Sequence, residues 1–289
     1  MMVKISISII ILFMILSCGD TGVSPREEPT NEDAIYNIIR FDRLAEFDID
    51  LYDLTVPDTV FTGVGPVIPS QYWYDMERDS LFIAIDIRYV QPGDPAGTNS
   101  TAIVRVLKYF WGSLEIIGVD TTGGNNVPVR YSKDFEIVGQ IRADFEKYGF
   151  DYNHRRGWIL TELSDAVFSG GYTEPIGAIN IHTESGFEYT VNTNKKLLSD
   201  IISFVPGDSI TVYIEAANPY DYVNVSYQSV GGYATIKLPP DSSGNYLTGF
   251  RITQSLGYNH FLVDLIANDV LTDNIDFRSA AIGVVYRVR

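Results

Sequence analysis

The sequence predicts an α+β segment followed by an all-β segment: one helix laid on a curved antiparallel sheet, then a β-sandwich. Three observations predict it. Just after residue 30, apolar residues recur at helical spacing. From Leu81 onward they alternate with polar residues at the two-residue period of strands. Beyond Gly170-Gly171 the strands shorten and turn residues separate them, as in a sandwich.

The composition suits a folded chain. Of 289 residues, 45% are hydrophobic and 20% charged, which argues against general disorder. The formal net charge of −16 argues against nonspecific binding to nucleic acid, which needs a positive surface. A single cysteine excludes a disulfide within the chain and a zinc site built from several cysteines.

The chain opens with Lys4 and an uncharged run, of which Ile5 to Ile15 is mainly apolar. This run is short of the roughly 20 apolar residues that span a bilayer and suits a secretory leader. It ends Ile15-Leu16-Ser17-Cys18, which resembles the bacterial lipobox. The resemblance implies thioether lipidation of Cys18, cleavage between Ser17 and Cys18, and acylation of the new amine. Two or more acyl chains anchor stably where one is marginal, so the membrane would be a partner through Cys18. Residues 18–29 are small, polar and Pro-containing, a flexible tether. Gly19 stands where an inner-membrane retention signal has Asp, which favours the outer membrane in a host that has one.

The α+β segment is expected over 30–169. Thr30 and Asp33 form a capping-box pattern, and Ala34, Ile38, Phe41 and Ala45 continue one helical stripe over about 31–46. Leu81 to Tyr89 alternates as a strand. Ala102 to Phe110 is a second, and Trp111-Gly112-Ser113 reads as a turn into Leu114 to Val119. Gly123 to Asn126 is another turn, Phe135 to Phe145 alternates again, with a helix as the alternative, and Trp158 to Val167 closes the segment. The second segment, 172–289, holds strands near 176–183, 187–191, 210–216, 223–227, 233–238, 246–253, 260–267 and 281–288.

The helix-then-strands order resembles the cystatin/NTF2-like superfamily, and the stretch from Arg155 to Thr161 is similar to a closing strand seen there. That resemblance implies a cone-shaped sheet that binds small molecules in many members. Its enzymes place Asp and His inside the cone; here His154 precedes two arginines at a turn, so the catalytic arrangement is not matched. Pro206 to Val212, Gly257 to Asp264 and Ala281 to Val288 resemble strands of bacterial immunoglobulin-like domains. The order of the two segments is similar to that of uncharacterised two-domain bacterial lipoproteins. The resemblance implies a fold, not an activity.

Candidate sites are few. Asp269, Asp273 and Asp276 gather three carboxylates near a strand end, where calcium finds oxygen ligands, but without the EF-hand spacing. His154, Arg155 and Arg156 form the densest positive cluster, suited to an anion or to surface carboxylates such as Asp151 or Glu162. Tyr72-Trp73-Tyr74 and Tyr109-Phe110-Trp111 place alternate aromatics in the core or at an interface. Glu46, Asp48, Asp50 and Asp53 read as a solvated face rather than a glycosidase pair. Hydrolase, nucleotide-binding and zinc-protease motifs are missing. Residues 26–171 carry 24 acidic and 13 basic side chains, so most of the negative charge lies in the first segment.

The expectation is a lipid-anchored envelope protein, non-enzymatic and without a cofactor, that binds an envelope protein or glycan. The alternatives are a hydrolase or isomerase using the cone, and a calcium-stabilised adhesive module.

Overall fold

The computed structural model describes residues 28–48, 51, 58–59, 66–90, 97, 99–171, 176–238, 244–253, 256–273 and 276–289. The leader, Ser17, Cys18, most of the tether, Asp50 and Asp53 lie outside them. The fold is mostly β, with a curled antiparallel sheet and few helices.

The helical stretch has three parts: α1 (Asn31–Asn37), a π-helical turn (Ile38–Asp42) and α2 (Leu44–Phe47). Thr30 caps it, its hydroxyl accepting from Asp33 N at 3.0 Å. Ala34, Ile35, Ile38 and Ile39 are buried as the spacing predicts. The π turn then adds a residue to the repeat and rotates the rest of the stretch. Phe41 and Ala45, expected on the buried stripe, are therefore exposed, while Glu46 and Phe47 are buried.

The strands are β1 (Asp58–Thr59), β2 (Val67–Arg88), β3 (Ser100–Asp120), β4 (Val127–Lys147), β5 (Trp158–Leu163), β6 (Ala166–Gly170), β7 (Ile179–Thr183) and β8 (Glu188–Thr190). Next come β9 (Lys196–Leu197), β10 (Ser203–Phe204), β11 (Ser209–Glu215), β12 (Tyr222–Ser229), β13 (Gly232–Leu238), β14 (Asn245–Arg251), β15 (Gly257–Ile266) and β16 (Ser279–Val288). A short helix, α3 (Asn268–Thr272), precedes β16.

The long meander β2–β3–β4 is the frame. Strict alternation puts Ala102, Val104, Val106, Phe110, Leu114 and Ile116 of β3 on the inner face, with Phe135, Ile137, Ile141, Ala143 and Phe145 of β4. In β2 the inward set changes parity, from Tyr72 and Tyr74 to Ile83, Ile85 and Ile87, across a bulge between Met76 and Arg78.

That bulge corrects one expectation. Trp111-Gly112-Ser113 is not a turn, and β3 runs through it for 21 residues. Gly112 stands opposite the bulge, where a Cβ would meet the Asp75 carbonyl oxygen at 2.1 Å. The glycine serves close backbone approach, not chain reversal. Gly112→Val should therefore lower stability by about 1–3 kcal/mol in urea denaturation, the range for overpacking a filled site. A change within about 0.5 kcal/mol, as at an ordinary surface site, would contradict this role of the glycine at the bulge.

The meander and the sandwich share one sheet. β6 pairs with β4 through Val138↔Ser169 and with β16 through Ser279↔Gly170. The sheet continues through β15 and β12 to β13, and a second sheet of order β14-β11-β7-β8 covers its outer face there. β12, β15 and β16 are thus buried on both faces. Leu262, Ile266, Ala281 and Val285 face the core beneath the helix. Val263, Leu265, Val284 and Tyr286 face the sandwich core with Ile181, Val212, Ile214 and Phe250.

The expected closing strand, 158–167, is also divided. It breaks at Ser164-Asp165, where Asp165 turns into the protein, and Gly170 lies within β6 rather than beyond a boundary. The hydrogen-bonded sheet is therefore continuous across the expected division at 169–172. Tyr74, Phe135 and Phe277 seal the seam, with ring centroids 5.2–5.9 Å apart.

Candidate functional site

The interior of the curl is filled. Ile35, Ile39, Tyr74, Leu114, Ile116, Ile137 and Phe145 are almost wholly buried. Between the helix and the sheet there remains a recess of about 210 Å³, lined in part by Leu44, Phe47, Leu81 and Val106. Lys108 points into it from β3, 3.4 Å from the Asp79 carboxylate. Burial pushes the Lys108 ammonium below the usual lysine range, against the raising effect of Asp48.

Two larger recesses open on the outside. One, of about 410 Å³, lies at the seam between Ser132–Glu136, Gly170-Gly171 and Asp276-Phe277. The other, of about 420 Å³, lies on the four-stranded sheet and is lined by Asn180, His182, Glu188, Tyr189, Thr190 and Tyr213. In that groove the His182 imidazole is 3.3 Å from Glu188, and the Thr190 hydroxyl donates to Asn180 at 2.7 Å. The Tyr213 phenol ring beside an amide, an imidazole and a carboxylate can stack on and hydrogen-bond a polar neutral ligand. The alternation of β7, β8 and β11 puts Asn180, His182, Glu188, Thr190 and Tyr213 on one face, with Tyr189 turned to the other side against the sandwich core, but their meeting depends on strand pairing that the sequence does not display.

The groove is tied to the interior through Tyr189. Lys196 Nζ donates to the Tyr189 hydroxyl at 3.0 Å and to Asp165 Oδ2 at 2.7 Å. Asp165 is fully buried, and its Oδ1 accepts from Val285 N at 2.9 Å. Burial raises the Asp165 carboxyl against the pull of Lys196. Burial, the largest single effect, would lower the Lys196 ammonium, but the Asp165 charge and the hydrogen bonds to Asp165 and Tyr189 together outweigh it and raise the lysine. The two shifts oppose each other in what they imply for the pair. We take the pair as ionised, because both carboxylate oxygens receive N–H donors.

A second polar group is enclosed where β2 meets β12 and β15. The Tyr72 hydroxyl donates to Asn224 Oδ1 at 2.6 Å, and Asn224 Nδ2 donates to Asp264 Oδ2 at 3.0 Å. The Tyr74 hydroxyl is 3.4 Å from Asp264, and Lys237 Nζ donates to the Tyr72 carbonyl at 3.1 Å. Burial pushes the Asp264 carboxyl up to about 7, against the lowering effects of Asn224, Tyr74 and Lys237. One signal of this layer lies in the sequence: an acidic residue inside the apolar run His260–Ala267.

His154, Arg155 and Arg156 come together in the hairpin after β4, where they hold the start of the helix. Arg155 grips Asp42 with Nε at 2.6 Å and Nη2 at 2.7 Å, and also pairs with Glu28. Arg156 donates to Asn31 Oδ1 and to the Glu28 carbonyl and pairs with Asp151 at 2.7 Å. His154 is 3.3 Å from Asp42. The bidentate hydrogen bond from Arg155 holds the Asp42 carboxyl below its usual range, although burial opposes it. Arg155 and Arg156 both have φ of 51°, a left-handed conformation that costs about 1–2 kcal/mol per residue and persists because these contacts hold it. Of the expected carboxylates, Asp151 is a partner, whereas Glu162 lies with Lys195.

The acidic stretch is also built differently from a ligand loop. Asp269 lies in α3 and pairs with Arg278, while the Asp273 carbonyl accepts from Lys133 Nζ at 2.7 Å. Asp276 lines the seam recess. Among the described residues, no three His, Cys, Asp or Glu side chains come together as a metal site. Glu46 is buried beside Arg43, and Asp48 is exposed. Tyr72 and Tyr74 are core residues; Tyr109 and Trp111 stack on the outer face at 5.7 Å, with Arg78 over Trp111.

Among the described residues, no helix is long and apolar enough to cross a membrane. No protein-family model, curated protein or solved structure matches the chain.

Proposed function

We propose that the chain is a lipid-anchored protein of the bacterial cell envelope, held by Cys18, that acts as a non-enzymatic binding or structural module for an envelope protein or glycan. The fold is read as a cystatin/NTF2-like segment whose sheet runs on into an immunoglobulin-like sandwich. The observation that carries the binding role is the filled interior of the curl. The larger recesses open on the outer surface, where partners meet the protein. The groove around His182 and Tyr213 is the candidate contact.

Cys18→Ser should abolish incorporation of labelled palmitate and move the protein from the membrane fraction to the soluble one. A Cys18→Ser chain that stays labelled and sediments with membranes would overturn the anchor. Tyr213→Ala should lose partners captured from detergent-solubilised envelopes, with the melting temperature unchanged. Equal recovery by Tyr213→Ala and the parent would rule out the groove as the contact.

The hydrolase or isomerase reading has one observation in its favour, Lys108 in its recess with a lowered pKa. Its acidic neighbours Asp79 and Asp48 are both exposed to water, so among the described residues the recess holds no enclosed acid–base pair. The calcium-stabilised reading requires Asp269 to give up Arg278.

A further inference from the structure

We infer that the strand-end surface carrying Tyr148, Phe150 and Tyr152 rests in the interface of the bilayer to which Cys18 tethers the chain. This rests on the lipid-anchor reading and adds to it how the body sits on the membrane.

The three rings crown the hairpin after β4. Tyr148 is 61%, Phe150 67% and Tyr152 82% exposed, and the last two stack in parallel with centroids 5.3 Å apart. They are not alone at this end. β2 runs out beside them in Tyr89 and Val90, both exposed, and Val90 N donates to Ser100 Oγ at the start of β3. Ser100 in turn pairs with Lys147 at the end of β4.

The tether leaves from the same place. Glu28 is held by Arg155 and Arg156 of this hairpin, and Asn31 donates to the Tyr89 hydroxyl at 3.3 Å. Ten Cα–Cα steps, with nine residues between, separate Cys18 from Glu28. At no more than about 3.6 Å per step they keep Glu28 within about 36 Å of the Cys18 backbone. The opposite end of the meander, the turn at 121–126, lies a full strand length away, about 65–70 Å along β3. Of the two ends, only the aromatic one is kept near the lipid.

Tyrosine and phenylalanine suit that position, because their rings enter the headgroup region while the tyrosine hydroxyls remain wet. The contact is apolar rather than electrostatic. Lys147, Arg155 and Arg156 are already paired with Asp151, Asp42 and Glu28. The contact should therefore not depend on anionic lipid.

Bromine-lipid quenching tests this on the full chain. The protein is produced with its leader, the lipid mass on Cys18 is verified, and the chain is placed in phosphatidylethanolamine/phosphatidylglycerol vesicles with and without brominated phosphatidylcholine. Phe150→Trp, and independently Tyr152→Trp, should lose emission in the brominated vesicles relative to the parent, and raised salt should not restore it. Asn125→Trp, at the far turn, should match the parent. Quenching of both aromatic-end variants no greater than that of Asn125→Trp, in a chain shown to be lipidated, would overturn the membrane contact and leave the anchor standing. A chain without lipid mass would overturn both.

Discussion

Lys196→Met is expected to lower stability by about 3–5 kcal/mol at neutral pH, the cost of leaving a buried carboxylate without its partner. Asp165 is fully buried, and besides Lys196 its side chain accepts one backbone hydrogen bond, from Val285. It sits in the turn between β5 and β6 and reaches Val285 of β16 and Lys196 of β9. One side chain thus joins the meander, the last strand and the crossing segment. The variant can relieve the loss by protonating Asp165. The carboxyl, already raised by burial, would rise further, so the variant's deficit should shrink toward pH 4 and be fully present at pH 8. Urea denaturation at the two pH values measures this. A deficit under about 1 kcal/mol at pH 8, as for an exposed ion pair, would show that the pair is not a closed contact.

Asp264→Asn is expected to do the opposite at high pH and stabilise the protein. The folded carboxyl titrates at about 7, against an ordinary value of 3.8. Between those values the folded chain keeps a proton that the unfolded chain has released. Stability from this group is therefore fully present below about pH 4, falls as pH rises toward 7, and levels off above it. The difference corresponds to about 4 kcal/mol across the window. Asparagine cannot ionise, so its variant should match the parent near pH 4 and exceed it at pH 8. Asn224, Tyr74 and Lys237 act on the carboxyl, and Tyr72 and Ser279 lie behind them, on Asn224 and Tyr74. None of these gains or loses a proton at its ordinary value in that range, which leaves Asp264 as the titrating member of the layer. Parallel pH profiles for parent and variant would contradict the assignment.

Much of the fold was legible because strand periodicity is local. Alternation separated buried Tyr72 and Tyr74 from Trp73, and Phe110 from Tyr109 and Trp111. The strands of the second segment fell close to their observed spans for the same reason. What escaped depends on partners far away in the chain. Gly112 signals a turn until the bulge of β2 is seen opposite it. The π turn at Ile38–Asp42 carries no spacing signal, yet it exposes Phe41 and buries Phe47.

The site residues were harder to read. Asn224 and Asp264 resemble solvated members of alternating strands, and their tyrosine partners are 152 and 190 residues away. Arg155 and Arg156 resemble a free positive patch because Glu28, Asn31 and Asp42, which engage them, come more than a hundred residues earlier. The shared sheet was hidden for a related reason. Gly170-Gly171 looks like a linker in one dimension, while the hydrogen bonds of β6 to β4 and β16 cross it in three.

The continuity of the sheet bears on function as well as on stability. A body whose two cores share β12, β15 and β16 transmits position from one end to the other. Holding the helix start at the 148–157 hairpin would therefore orient the groove near Tyr213 relative to the proposed anchor. The proposed envelope role rests on the proposed lipidation of Cys18. Intact-mass spectrometry of the protein purified from its own host's membranes tests that directly. The expected species is a polypeptide beginning at Cys18 and heavier than its sequence by a diacylglyceryl group and a further acyl chain. A mature chain at its bare polypeptide mass, or one still carrying residues 1–17, would contradict it.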